Sequence, residues 1–307
     1  MTGRPLLALV GPTASGTSEL GLSLADALGA EIVSVDSMLV YRGMDIGTAK
    51  PTLEQRRRVS HHLIDVAEPS EPFSVARFQE ASRIAVDRIA AAGHASLLVG
   101  GSGLYFRAVV DDLEFPGTDP ATRADLEQQA EVLGAARLYA RLASLDPVAA
   151  GRIEPANVRR TVRALEVAAI TGRPFSSFAE AWAIYPDDRV RVAGVRPPRA
   201  VLADRIERRV RTMLDVGWLE EVRGLIGRGF GGWLTSTQAI GYAELARHLQ
   251  GRLSLDEAVE ATIGRTGALA RRQLAWFRRD PRVRWFDVGT GGAMDAGDAI
   301  RAYLEDR

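Results

Sequence analysis

The chain has no cysteine in its 307 residues, so it holds no disulfide and no thiolate metal site, as suits a reducing compartment. It also lacks an excess of either charge: Lys+Arg and Asp+Glu number 39 each, and bulk charge selects no partner. No apolar run reaches membrane-spanning length, and the N-terminus has no signal-peptide layout. A cytoplasmic protein without membrane association is therefore expected. Internal repeats and low-complexity tracts are absent as well. What remains is ample core-forming material, with 46% hydrophobic residues. At this length, one large domain with an appendage, or two domains, is the starting expectation.

Short apolar runs alternate with helical patterns through the first third. "LLALV" (Leu6–Val10), "EIVSVDS" (Glu31–Ser37) and "ASLLVGGSG" (Ala95–Gly103) are bounded by turn residues and read as buried parallel strands. "SVARFQEASRIAVDRIAAAG" between the last two is an amphipathic helix ending at a glycine. Such alternation implies a doubly wound α/β sheet with ligands at the C-terminal strand ends. From about Asp119 to Trp182 the pattern is nearly all helical. "RVRVAGVRPP" (Arg189–Pro198) and "RVRWFDV" (Arg282–Val288) then resume as strands. The expected organisation is an α/β core of residues 1–117 and 189–307, interrupted by a helical insertion at 118–188.

"GPTASGTS" follows the first strand and opens a helix. It almost spells the phosphate-binding loop G-x-x-x-x-G-K-[ST]. Gly11, Gly16 and Ser18 are in place, but the lysine position holds Thr17. Backbone N–H groups around Pro12, Thr13, Ala14, Ser15, Gly16, Thr17 and Ser18 are expected to point at an anion, assisted by the helix N-terminus. In phosphoryl transfer that lysine neutralises the migrating group, so its absence counts against a kinase or NTPase. Asp36, just after the second strand, lies at the same sheet edge. A carboxylate there suits a magnesium ligand, a general base or a helix cap. His61 and His62 make no metal site, because adjacent strand residues face opposite ways and nothing nearby completes a set.

The strings "GPTASG", "VDSMLVYRGMDIGTAKP", "HHLIDV", "LLVGGSGLYFRAV", "RRTVRALEV", "QAIGYAEL" and "ARRQLAWFRRD" occur in the order seen in tRNA dimethylallyltransferases. The chain resembles that family from Leu6 to about Asp287, and the long "YRGMDIGTAKP" string is the most specific part. The resemblance implies an α/β fold, a P-loop NTPase-like parallel sheet with a helical insertion. It implies prenyl transfer from dimethylallyl diphosphate to N6 of the adenosine next to the anticodon, in tRNAs that read codons beginning with U. By the same resemblance Asp36 takes the N6 proton, Ser102 positions substrate, and Gly11–Ser18 with Arg205 hold the diphosphate. Mg²⁺ would offset the leaving group's charge, with Ser18 as the hydroxyl nearest the metal. Contacts to the tRNA anticodon stem-loop are carried over to Asp36, Ser37, Met38, Leu39, Ser102, Arg123, Arg159, Arg160, Thr161, Val162 and Arg163. A monomer is expected.

A target base stacked in an anticodon loop must be flipped out, which needs an RNA-gripping surface. Read as a helix, "VRRTVRALEVAAI" puts Val158, Val162, Leu165 and Ala169 on one stripe, with Arg159, Arg160 and Arg163 opposite. The C-terminal "ARRQLAWFRRDPRVRWF" interleaves arginines with Trp276, Phe277, Trp285 and Phe286. Those aromatics read as core and the arginines suit a phosphate backbone. Two departures from the family pattern each remove positive charge: Thr17 for the loop lysine, and Gly267 for an arginine in "RTGALARRQ". Three functions therefore stand open. They are a tRNA prenyltransferase, an adenylate isopentenyltransferase acting on free nucleotide, and a catalytically weakened RNA-binding relative.

Overall fold

The structure, a computed structural model, describes residues 6–111, 113–186 and 189–306. Its elements run β1 (Leu6–Val10), α1 (Thr17–Leu28), β2 (Ala30–Ser34), α2 (Leu53–Arg58), β3 (His61–His62), α3 (Val75–Ala91), β4 (Ala95–Gly100) and α4 (Gly103–Val110). The helices α5 (Pro120–Leu133), α6 (Ala135–Leu145), α7 (Pro147–Ala150) and α8 (Val158–Thr171) follow without an intervening strand. The chain closes with β5 (Val190–Arg196), α9 (Arg199–Asp215), α10 (Trp218–Gly227), α11 (Tyr242–Leu249), α12 (Leu255–Phe277), β6 (Val283–Asp287) and α13 (Gly297–Glu305).

All six strands are parallel, in the order β3-β2-β4-β1-β5-β6. Alternation along the strands supplies two apolar faces. Leu9, Ile32, Leu97, Val99, Ala193 and Val195 join Leu20, Leu24 and Ala25 of α1 and Ile300 and Leu304 of α13 in one core cluster. The alternate positions Ala8, Val10, Val33, Leu98 and Val192 are equally buried. Because β1 lies between β4 and β5, with Val10 opposite both Gly100 and Gly194, the exits of the central strands share one edge. The loop after β1, Asp36 after β2, and Gly101–Ser102 after β4 all leave the sheet there.

Contacts divide the chain into two compact units, Met1–Val110 with Pro186–Arg307, and Asp111–Tyr185. The insertion boundary read at residue 188 lies outside the described residues. In the smaller unit, Leu126, Leu138, Leu142, Val162 and Leu165 form the core. The stripe expected on α8 is corrected: Ala169 is exposed, and the buried face is Thr161, Val162, Ala164, Leu165, Glu166 and Val167. The reason is Glu166, whose fully buried carboxylate accepts from Arg123, Arg163 (2.7 Å each) and the Asp119 N–H (3.0 Å). Burial alone would push this carboxyl up, but the two guanidinium bonds hold it below the usual glutamate value. A buried charge needs such partners, so α8 turns its 163–166 side inward.

Gly267 lies within α12 with helical backbone, and a Cβ there would meet only Arg271 Nη1, at 3.6 Å. Glycine inside a helix costs backbone entropy that alanine does not. Gly267→Ala should therefore raise unfolding free energy by about 0.5–1 kcal/mol in urea titrations. An unchanged or lower midpoint would contradict this.

Candidate active site at the strand ends

The loop after β1 is shaped by two left-handed residues, Ala14 (φ 64°) and Gly16 (φ 91°). A non-glycine in that region is costly and persists only where its surroundings hold it. Here Ala14 packs against Leu202, Ile206 and Ala270 of α9 and α12. The Thr13 N–H donates to Gln273 Oε1 on α12 (2.8 Å). On the other side, the Ser15 carbonyl accepts from the Ala293 N–H (3.0 Å) and from Arg205 (3.4 Å). Not every loop amide faces an anion, as the sequence suggested, because the Ser15 N–H turns inward to the Pro12 carbonyl (3.2 Å). The N–H groups of Ala14, Gly16, Thr17 and Ser18 have no acceptor among the described residues. Thr17 is buried and Ser18 is exposed.

Arg205 departs from expectation in what it binds. Its guanidinium donates to two backbone carbonyls, those of Ser15 and of Thr290 (2.6 Å). It lines neither cavity that contains Asp36. Its place is beneath the loop, which it braces.

Asp36 is half-buried where β2 ends, and its Oδ1 accepts from the Met38 N–H at 2.7 Å. Burial pushes its carboxyl above the ordinary 3.8, opposed by the Met38 and Leu39 amides and by the Arg209 guanidinium. Asp36 lines two adjoining cavities. The first, about 430 Å³, takes in the loop from Gly11 to Ser18, apart from the inward-facing Ser15. The second, about 560 Å³, takes in Ser37, Met38, Ser102, Trp218, Arg272 and Trp276. Thr13, Asp36, Thr48, Gly101, Arg209 and Gln273 line both. Of the residues carried over from the family, Leu39 joins the first cavity and Ser37, Met38 and Ser102 the second.

One wall is held by a single carboxylate. Glu221 of α10 accepts from the backbone N–H groups of Asp45 and Ile46 (2.8 Å each) and Gly47 (3.3 Å), and from the Tyr242 hydroxyl (2.6 Å). Trp218 packs directly against Gly47 and Gly241, where any Cβ would overlap its ring. Lys50 is buried and bound to the Tyr41 carbonyl, Asp45 and Asp65. The His61 ring nitrogen meets the Val59 carbonyl (2.7 Å), while His62 and His94 share Glu31 (2.7 and 2.6 Å). Among the described residues, no group of three or more His, Cys, Asp or Glu side chains can hold a metal by itself.

In the smaller unit, Arg159 and Arg160 are exposed at the start of α8 and have no ion-pair partner among the described residues. Arg123 and Arg163 are committed to Glu166, Thr161 donates to the Asn157 carbonyl, and Val162 is core. The C-terminal aromatics also divide: Phe277 is buried against Phe106, whereas Trp276 is 39% exposed. Arg282 is buried on Asp280 rather than free for phosphate. The reading of sequence passed over Arg209 and Gln273. Arg209 follows Arg205 by one helical turn in "DRIERRV", a spacing that places both on one face and was the available signal.

A family model described as IPP transferase matches residues 39–280. The chain is 49% identical to the tRNA dimethylallyltransferase of Salinispora arenicola, over 97% of this chain and 86% of that one. It is 46% identical to that of Desulforudis audaxviator, over 98% of each. Among solved structures, the tRNA isopentenylpyrophosphate transferase of Bacillus halodurans aligns with TM-score 0.70 and 39% identity, covering 99% of this chain and 97% of that one. A eukaryotic dimethylallyltransferase acting on tRNA shares the fold, with TM-score 0.81, 24% identity, and coverage of 98% and 78%.

The raised Asp36 value has a consequence for stability. A group whose folded value exceeds its unfolded one contributes stability below the unfolded value and loses it as pH rises through the folded one. The unfolding free energy of the wild type, relative to Asp36→Asn, should therefore fall as pH rises from the ordinary carboxylate range through the raised folded value. A difference that rises over that range in paired urea titrations would reverse the assignment.

Proposed function

The chain belongs to the IPP transferase family, the tRNA dimethylallyltransferases, and from that premise we propose a division of labour within its site. It is a transferase that moves a dimethylallyl group onto tRNA. The finer reading is that the acceptor is N6 of the adenosine beside the anticodon, in tRNAs reading codons that begin with U. The donor is dimethylallyl diphosphate.

The N6 amine is a weak nucleophile because its lone pair is delocalised into the ring. As its nitrogen bonds to C1 of the donor, the C1–O bond breaks and diphosphate departs with that electron pair. The N6 proton passes to Asp36. The carrying observation is that Asp36 and the loop's unpaired amides line one cavity. Burial suits Asp36 to the task, since a base nearer neutrality transfers protons more effectively. The diphosphate would sit on the N–H groups of Ala14, Gly16, Thr17 and Ser18. The flipped base would enter the second cavity, beside Ser37, Met38 and Ser102.

The donor set also fits magnesium held chiefly by diphosphate oxygens and water. Ser18 offers an exposed hydroxyl on the cavity that the loop amides line. When bound, the ion would offset the charge on the leaving diphosphate. Arg159 and Arg160 are the free cations of α8 and suit the tRNA backbone. We infer cytoplasmic action by a monomer.

Incubation with unmodified tRNA, dimethylallyl diphosphate and Mg²⁺, followed by nucleoside mass spectrometry, should give N6-(dimethylallyl)adenosine. Tight tRNA binding with no product would instead mark a binding-only relative, and prenylated free AMP an adenylate enzyme. Asp36→Asn should keep tRNA affinity and lower kcat by about 100-fold or more. Replacing Arg159 and Arg160 by alanine should reduce the salt slope of tRNA binding by roughly one per lost contact. An unchanged slope would remove them from the RNA surface.

A further inference from the structure

The first cavity reaches past the loop along one face of the sheet. Ile32 and Ser34 of β2 and Asp36 just beyond it point to the same side, and all three line that cavity. Ile32 packs there with Leu22 of α1 and Val99 of β4, which line the cavity as well. This part of the wall is therefore apolar, and two polar groups interrupt it.

The first is the Ser34 hydroxyl. Ser34 is buried, and its Oγ has no hydrogen-bond partner among the described residues. The second is His61, which stands on β3 in register with Ile32 and lines the same cavity. Its Nδ1 meets the Val59 carbonyl at 2.7 Å. A carbonyl can only accept, so Nδ1 carries the hydrogen. Burial holds the imidazole below its ordinary value and favours the neutral ring, which leaves Nε2 as an acceptor. No hydrogen bond occupies that nitrogen among the described residues.

An enclosed hydroxyl without a partner is costly, and a hydrocarbon laid over it would not relieve the cost. A ligand that is hydrocarbon with one hydroxyl would. The strand sets its length: Ser34 lies two residues from Asp36, roughly 6.5 Å along β2. An allyl group of five carbons with a hydroxyl at its far end covers that span from a C1 placed beside Asp36.

We propose that the chain also takes as donor a dimethylallyl diphosphate hydroxylated on one terminal methyl, whose hydroxyl accepts from Ser34 and donates to His61 Nε2. The transfer step rests on the prenyl-transfer reading. The N6–C1 bond forms, the C1–O bond breaks, diphosphate leaves with the electron pair, and the N6 proton passes to Asp36. The donor's hydroxyl is carried through unchanged, so the prenylated adenosine is heavier by one oxygen and no oxidant takes part.

The full chain, Ser34→Ala and His61→Phe are each given unmodified tRNA, Mg²⁺ and one donor at a time, the hydroxylated donor as separate E and Z isomers. Nucleoside mass spectrometry gives kcat/KM for each donor, and calorimetry without tRNA gives each donor's affinity. The parent should use one hydroxylated isomer with a kcat/KM no lower than that for dimethylallyl diphosphate. In both variants the ratio of hydroxylated to unhydroxylated donor should fall by about three- to tenfold, as for one neutral hydrogen bond. Both donors meet the same protein, so a general loss of folding or turnover cancels from that ratio.

A parent that uses both hydroxylated isomers less well than dimethylallyl diphosphate would overturn the assignment. So would a ratio that neither variant moves. If no donor gives product, the prenyl-transfer reading fails and the affinities decide the pocket. Tighter binding of a hydroxylated isomer that Ser34→Ala abolishes would then support it, and equal binding of all donors would overturn it. Should Ser34→Ala fail to fold, His61→Phe decides through the same ratio.

Discussion

The site depends on the parallel pairing of β1 with β4 on one side and β5 on the other. Parallel ladders leave every C-terminal strand end on one edge, so the loop, Asp36 and Ser102 converge without being near in sequence. Apolar residues on both faces of these strands pack against different partners, so a one-residue slip would exchange the two faces and undo the packing against α1 and α13. The loop is then fastened from outside the sheet. Gln273 holds the Thr13 amide, Arg205 and Ala293 hold the Ser15 carbonyl, and Ala14 packs on α9 and α12. The strained loop presents its amides outward while its Thr13 amide and Ser15 carbonyl are held from behind.

The equal numbers of basic and acidic residues conceal how unevenly the charges are used. Arg123 and Arg163 neutralise a buried glutamate, Arg282 a buried aspartate, and Arg196 forms a two-point pair with Asp287 (2.6 and 2.8 Å). Arg205 serves two carbonyls. These arginines hold architecture. Arg209 in the cavity and Arg159 and Arg160 on α8 have no such partner among the described residues, and their charge remains available to anionic ligands. A cluster of arginines in sequence therefore says little until pairing has sorted it.

The same sorting explains the second cavity. Glu221 turns three backbone amides inward and Trp218 fills the space that a Cβ at Gly47 or Gly241 would need. The "GMDIGTAKP" string is thus a wall fastened to α10 and α11. Its glycine at 47 answers to close packing against a tryptophan far along the chain.

By itself the sequence determined the strand–helix alternation, the anion-binding turn after β1, the carboxylate after β2 and the helical character of the insertion. Those features are local: period-2 and period-3.6 patterns, turn residues and motif spacing are all written within a few residues. It also determined the family, because ordered motifs over the whole chain are specific where one motif is not. Tertiary structure decided which charges are free. Arg163 and Arg205 look like phosphate ligands in sequence, yet Glu166 and two backbone carbonyls claim them. Arg209 looks like one more arginine on a helix, yet the fold places it in the cavity with Asp36 and, among the described residues, without an ion pair or hydrogen bond. Pairing depends on distances across elements that lie far apart in the chain, and no local pattern encodes it.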